Sequence, residues 1–172
     1  MRTVLIETPP LVAEWLEERR VRGLDTYDEV WAGVRHVAPA PSGAHGDLDH
    51  QLSRVLGPLA DAVDLVGFGP INIGQPDDYR VPDQAFLTVR SSAVFHPTAE
   101  IVVEIVSPGD ESWEKLEFYA AHGVQEMLIV DPRTKGIQWL HRSGDTMTAV
   151  GGSQLLAIDG AGLAQQLEWP TI

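Results

Sequence analysis

Residues Ile101 to Tyr119 read IVVEIVSPGDESWEKLEFY, and the rest of the chain is interpreted outward from them. The first part, Ile101 to Val106, is apolar and rich in β-branched residues, the composition of a strand buried on both faces. Glu104 interrupts it. A carboxylate in such a strand costs several kcal/mol, or takes up a proton, unless a positive charge compensates it. Ser107-Pro108-Gly109 then breaks the strand, because proline donates no ladder hydrogen bond and glycine lets the chain turn. Asp110 is the expected N-cap of a helix running to about His122, with Glu111 in its first turn and Lys115 inside it. A strand thus delivers an acid, and the helix that follows brings back a base.

Composition sets the bounds. The chain has 172 residues, of which 44% are hydrophobic, enough for one good core, and one domain over residues 1–172 is the expected count. The formal charge is −13 and the isoelectric point is near 4.7, the wrong sign for coating nucleic acid through the whole surface. Any phosphate contact has to come from a local basic patch or a bound cation. Cysteine is absent, which excludes disulfides, thiolate chemistry and Cys-ligated zinc. The opening MRTVLIETPP reads as neither a signal peptide nor a spanning segment, and nothing later reaches transmembrane length. The expectation is a soluble cytoplasmic protein with no membrane partner.

Outward from the central stretch, Thr8-Pro9-Pro10 predicts a helix start, with Leu11, Trp15 and Leu16 as its apolar face and Gly23 as its end. Tyr27 to Trp31 and Val34 to Ala38 predict a hairpin about Ala32-Gly33. Residues 39–43 form a Pro/Ser/Gly loop. His45 to Ala62 predict a second helix with Leu48, Leu52, Val55, Leu56 and Leu59 at helical spacing, bent or shortened by Pro58. Leu65 to Ile73 is strand-like but broken by glycines, Gln75 to Arg80 is a polar loop, and Gln84 to Val89 is a strand. Glu126 to Val130 is a strand ended by Asp131-Pro132. Gly136 to His141 and Thr146 to Val150 predict a further hairpin, Leu155 to Ile158 a short strand, and Leu163 to Leu167 a closing helix. The sum is an α/β (α+β) domain with a mixed sheet flanked by helices.

Four residues stand out chemically: Asp83 after Pro82, Glu104 in the apolar strand, Lys115 beyond it, and Glu29 in the first hairpin. If the strands of Asp83 and Glu104 are neighbours, their carboxylates meet at one end of a sheet and repel unless they share a proton or a cation. Oxygen ligands without cysteine favour Mg²⁺ or Mn²⁺ over zinc. Such an ion lowers the pKa of a bound water, and a lysine beside it stabilises charge on a phosphoryl transition state. Taken singly, each residue also has an ordinary explanation. Asp83 caps a turn, Lys115 is a solvated helix residue or an i,i+4 partner of Glu111, and Glu29 is a surface acid of the hairpin. His45 contacts substrate, bonds a site acid, or bonds backbone at a helix start. Tyr119 packs over the site or fills core. Arg19, Arg20 and Arg22 touch phosphate or are solvated.

The order of these motifs resembles the Uma-type family of putative restriction endonucleases, within the PD-(D/E)xK nuclease superfamily. The resemblance is carried by Pro82-Asp83, by Val103 to Pro108, by Lys115 with Tyr119, by Gly123-Val124 and by Ile129 to Pro132. In the front half, Asp28-Glu29-Val30-Trp31 with Gly33, and Ala38 to Gly43 followed by His45, match the family's N-terminal signature. It spans Tyr27 to Trp139. The resemblance implies a restriction-endonuclease-like core, a homodimer, DNA as partner and a Mg²⁺ site. It makes Asp83 and Glu104 metal ligands, Glu29 an accessory acid and Lys115 the catalytic lysine. The lysine that the superfamily places two residues after the strand acid is replaced here by Val106, and the helix supplies Lys115 instead.

The leading reading is therefore a Mg²⁺- or Mn²⁺-dependent DNA endonuclease using Asp83, Glu104, Lys115 and Glu29, with His45 toward the substrate. Two alternatives stay open: a nuclease-fold protein that binds or assembles without turnover, and a metal-dependent hydrolase of small phosphoesters.

Overall fold

The structure, a computed structural model, describes residues 3–107, 109 and 111–171. Its elements run β1 (Thr3–Leu5), α1 (Pro10–Val21), β2 (Glu29–Trp31), β3 (Val34–Val37), α2 (Gly43–Asp61), β4 (Val66–Phe68), β5 (Asn72–Gln75) and β6 (Asp78–Arg80). They continue with β7 (Gln84–Leu87), β8 (Phe95–His96), β9 (Ile101–Ile105), α3 (Leu116–Ala121), β10 (Glu126–Asp131), β11 (Gly136–Ser143), β12 (Thr146–Val150) and α4 (Gly160–Ala164). One sheet has the order β1-β3-β2-β6-β5-β8 and the other β12-β11-β10-β9-β7-β4. Both are mixed, since β5 and β8 pair parallel in the first and β9 and β10 pair parallel in the second. The expected α+β architecture is what the chain adopts, with two mixed sheets where a single one was expected.

β9 lies inside the second sheet and every one of its residues is buried, as its composition predicts. Side chains alternate across a strand. Ile101, Val103 and Ile105 face a core built with Leu48, Leu52 and Leu56 of α2 and Leu163 of α4. Val102, and Val106 just beyond the strand, face a second core with Ile73 and with Tyr119 of α3. Glu104 has the parity of Val102, so it projects to the side where α3 and the first sheet lie. α2 buries Leu48, Leu52, Leu56 and Ala60, one residue per turn along a single stripe, and Ser42 caps its start by accepting from the His45 amide at 3.2 Å. The turn between β2 and β3 has Ala32 at φ 47° and Gly33 at φ 84°, the positive pair that a two-residue hairpin needs.

Several local expectations change. Residues 75–80 are not a loop: β5 and β6 form a hairpin in which Gln75 pairs with Asp78. The backbone of this polar segment is satisfied by cross-strand bonds that its composition does not advertise. β1 and β8 are short strands recruited at the two edges of the first sheet. Residues 155–158 are not a strand; one isolated bridge joins Gly152 to Asp159. Asp159 caps α4 by accepting from the Gly162 amide at 2.6 Å, so the closing helix starts earlier than expected. α1 is capped by Pro9 without a side-chain bond, not by Thr8, and buries none of its residues. The expected strand break at Pro108 and the cap at Asp110 lie outside the described residues. α3 starts only at Leu116, with Lys115 at its N-cap rather than inside it. Residues 112–115 are turns; Glu111 is engaged by His36, and Lys115 by buried carboxylates, so side-chain anchoring replaces helical bonding there.

Leu52 is fully buried between α2 and β9. Leu52→Ala is expected to lower stability by about 2–5 kcal/mol, read from equilibrium urea unfolding.

Candidate active site

The two strands that carry the acids are neighbours. β7 and β9 pair antiparallel with Gln84 opposite Val103 and Ala85 opposite Val102. Asp83 is a bend immediately before β7, where the ladder slips, and both it and Glu104 line one pocket. Pro82 contributes no amide, and the Asp83 amide donates to the Val103 carbonyl at 3.0 Å. The Asp83 carboxylate then takes over a backbone donor, accepting the Ile105 amide at 2.7 Å. Its other oxygen meets His45 Nε2 at 2.9 Å, and His45 Nδ1 lies 3.1 Å from the Ser107 hydroxyl. His45 reaches this position from the first turn of α2, whose cap at Ser42 fixes the entry of the helix. The Asp83 carboxylate is thus held by β9 and α2 rather than only capping a turn.

Behind this pair sits a buried ion cluster. The Lys115 ammonium donates to both oxygens of Glu104 at 2.9 Å and lies 2.8 Å from Glu29 Oε1. Both side chains are essentially inaccessible, so Lys115 is not a solvated residue and Glu29 is not a surface acid. Glu29 also accepts the Val81 amide at 2.9 Å and the Trp31 indole at 2.7 Å. Trp31 follows Glu29 by two positions on β2 and therefore shares its face. The Tyr119 hydroxyl, one turn into α3, donates to Glu104 at 2.7 Å. Tyr119 both fills core and holds the site acid. Burial pushes the Glu104 carboxyl up to about 7; Lys115 opposes this, while Asp83 and Glu29 push the same way. Burial, reinforced by Glu104, also raises the Tyr119 phenol well above its ordinary value.

A column of stacked groups braces the cluster. His36 stacks on Trp31 at 4.4 Å, and the Arg80 guanidinium lies 4.2 Å from the Trp31 ring centre. Arg80 is also 4.0 Å from the Phe118 ring centre, and Phe118 stacks on His122 at 3.8 Å. Arg80 is thereby clamped between β2 and α3, the elements that carry Glu29 and Tyr119. A desolvated cation over aromatic faces contributes about 2 kcal/mol.

A pocket opens beside the acids, lined by Tyr27, Ser42, His45, Asp83, Glu104 and Ser107 among others. Asp83, Glu104 and His45 therefore converge on one cavity. Glu29 and Lys115 are not among its lining residues and support Glu104 from behind. The donor chemistry suits a hard dication: two carboxylates line one pocket, and burial above all, helped by Asp83 and Glu29, holds Glu104 near neutrality. Among the described residues no group of three or more His, Asp or Glu side chains forms a ready-made metal cage. An ion here would use the two carboxylates together with water or substrate oxygens. Arg19, Arg20 and Arg22 are elsewhere, paired with Asp28, Glu17 and Glu18. His50 is exposed. The roles of Tyr119 and Trp31 were readable from spacing, four residues from Lys115 and two from Glu29. Ser107 and Arg80 carry no comparable signal.

The model of the Uma2 family, described as "Putative restriction endonuclease", matches residues 26–167. The fold is similar to a crystal structure described as a putative nuclease belonging to DUF820, from Anabaena variabilis. That match has a TM-score of 0.66 and 16% identity, and covers 81% of this chain and 90% of that one. No curated protein matches.

Because the Glu104 value of about 7 lies above the ordinary 4.5, the folded chain holds a proton that the unfolded chain has lost between those limits. This contribution to stability is complete below about pH 4.5 and is lost as pH rises to about 7. Glu104→Gln is expected to become progressively more stable relative to wild type over that interval. Parallel unfolding free energies for the two proteins, measured by urea denaturation across it, would exclude a neutral Glu104.

Proposed function

The chain belongs to the Uma2 family of putative restriction endonucleases, and from that premise we propose that it is a divalent-metal-dependent endonuclease that hydrolyses DNA phosphodiester bonds. The observation that carries the proposal is that Asp83 and Glu104, on neighbouring segments, line one pocket. In this reading those two carboxylates hold Mg²⁺ or Mn²⁺. The bound ion supplies charge neutralisation at the scissile phosphate and an acidified water.

The chain's own residues do the remaining work. Lys115 fixes both oxygens of Glu104 and keeps one positive charge beside the acids. Glu29 anchors Lys115 from the first sheet, and Tyr119 holds Glu104 from α3. His45 bridges Asp83 and Ser107 in the pocket wall, where it meets the substrate backbone. With a net charge of −13, the protein gains little non-specific attraction to nucleic acid, so the pocket must supply the phosphate affinity.

One observation favours a second reading, a nuclease-fold protein without turnover. Lys115 already satisfies both oxygens of Glu104, which lets the site stand without an ion. Calorimetric titration separates the two. Stoichiometric Mn²⁺ binding that disappears in Asp83→Asn supports the enzyme; no binding supports the silent protein.

The direct test is plasmid nicking and cleavage with Mg²⁺ or Mn²⁺. Activity is expected to vanish in EDTA and to fall by at least about 10²-fold in Glu104→Gln, the scale for removing one transition-state-stabilising group. Cleavage that survives chelation, or that survives in the variant, overturns the proposal.

A further inference from the structure

The pocket has two unlike walls. Asp83 and Glu104, with His45 and Ser107, form one of them. The other is apolar: Pro39, Ala40 and Pro41, from the loop between β3 and α2, together with Tyr27. The nuclease reading uses the first wall and leaves the second without a role. The second wall is held in place at several points. Asp28, next to Tyr27, pairs with Arg19 at 2.8 Å and accepts the Ala38 amide at 2.9 Å, so one buried carboxylate ties the Tyr27 turn to the start of the loop. Ser42 caps α2 at the other end of the loop. Two prolines restrict the backbone between these anchors. Pro39, Ala40 and Pro41 are nevertheless open to solvent, and Tyr27 is half-buried. An accessible apolar wall beside a few convergent polar groups is the arrangement of a ligand site.

Size and charge say what lies between the walls. The cavity holds about 240 Å³, room for one nucleotide unit and not for a paired helix. In a duplex the bases are stacked inside, so a base reaches a pocket wall only when it is unpaired. Duplex DNA is held by cations along successive phosphates. Among the described residues that line the cavity there is no Lys or Arg. Elsewhere Lys115 and Arg80 are buried, and Arg19, Arg20, Arg22 and Arg133 each have an acid beside them. Affinity for the strand therefore needs a contact that uses no charge. Stacking of an unpaired base on an aromatic face is such a contact, and every base can make it. Burial, with Asp83 and Asp49 pushing the same way, raises the Tyr27 phenol above its ordinary value. Its hydroxyl keeps a proton to donate to a phosphate oxygen while the ring meets the base.

We propose that the wall of Tyr27, Pro39 and Pro41 receives an unpaired nucleobase beside the scissile phosphate, which makes single-stranded DNA, rather than intact duplex, the substrate class of this site. The inference rests on the endonuclease reading of Asp83 and Glu104, and adds the strand form that reading leaves open. Tyr27 is a substrate-binding residue, and its contact is to the base and not to the reacting oxygen.

Binding tests it separately from cleavage. Fluorescence anisotropy of a short labelled oligonucleotide in Ca²⁺ compares the single strand, a hairpin duplex of the same sequence, and a strand of abasic residues with the same phosphates. Wild type is expected to bind the single strand at least about tenfold more tightly than the duplex, and to lose about tenfold on the abasic strand, the scale of one base stacked on an aromatic ring. Tyr27→Ala is expected to lose a similar factor on the normal strand and little more on the abasic one, since the two changes remove the same contact. Tyr27→Phe keeps the ring and is expected to retain the preference for the single strand. The abasic strand leaves the protein unaltered, so the test stands even if Tyr27→Ala folds poorly. Duplex bound as tightly as single strand, no loss on the abasic strand, or no binding of the single strand at all would each overturn the inference. Cleavage separates the two claims. Linear duplex and single strand cut equally, with activity lost in Glu104→Gln, would keep the endonuclease and overturn the single-strand inference. Base-dependent binding of the single strand through Tyr27, with neither form cut in Mg²⁺ or Mn²⁺, would support the wall and overturn the endonuclease.

Discussion

The structure depends on one ammonium group buried between two carboxylates. Lys115 reaches Glu29 from the first sheet and Glu104 from the second, at 2.8 and 2.9 Å, with none of the three open to water. Loss of Lys115 is the costly change, because it leaves both buried carboxylates without their counter-charge, a penalty of about 3–5 kcal/mol. The arrangement therefore joins the two sheets and the lead-in to α3 in one fixed geometry. Yet the sum is unequal: two acids share one base, and Asp83 adds a third acid nearby. Burial, and after it the surplus of acids over the opposing Lys115, is why Glu104 sits near neutrality rather than at an ordinary carboxyl value.

From this follows a division of labour. Glu29, Tyr119 and the Trp31–Arg80–Phe118 stack support Glu104 from behind. Asp83, His45 and Ser107 form the accessible side and face the pocket. The elements that deliver these groups are far apart in the chain. They meet because the pairing of β7 with β9 brings the bend at Asp83 beside β9, where its carboxylate accepts the Ile105 amide, and because Ser42 fixes where α2 begins.

Much of this was legible in the residues. A lone glutamate in an otherwise apolar run could be tolerated only by compensation, and the run did fold as a fully buried strand. The leucine stripe of α2 and the Ala32-Gly33 turn carried their own geometry. Glu104 could be nominated because a carboxylate is out of place in such a run, whereas Asp83, Lys115 and Glu29, ordinary when taken singly, were joined to it by the order of motifs shared with the family. What could not be read was tertiary. The polar residues 75–80 pair as a hairpin because neighbouring strands complete them. The helix expected from Asp110 is replaced, up to Lys115, by turns in which Glu111 and Lys115 are anchored through their side chains. The apolar residues of α1 show helical periodicity correctly, but periodicity does not say whether the cover lies within the same chain.

The separation of Glu104 from Lys115 has one more consequence. The acid rides on an interior strand, whereas the base rides on the short turn segment ahead of α3. Lengthening or trimming that segment would draw the amine away from both buried carboxylates. The length of the turn ahead of α3 is thus constrained by a contact made across two sheets.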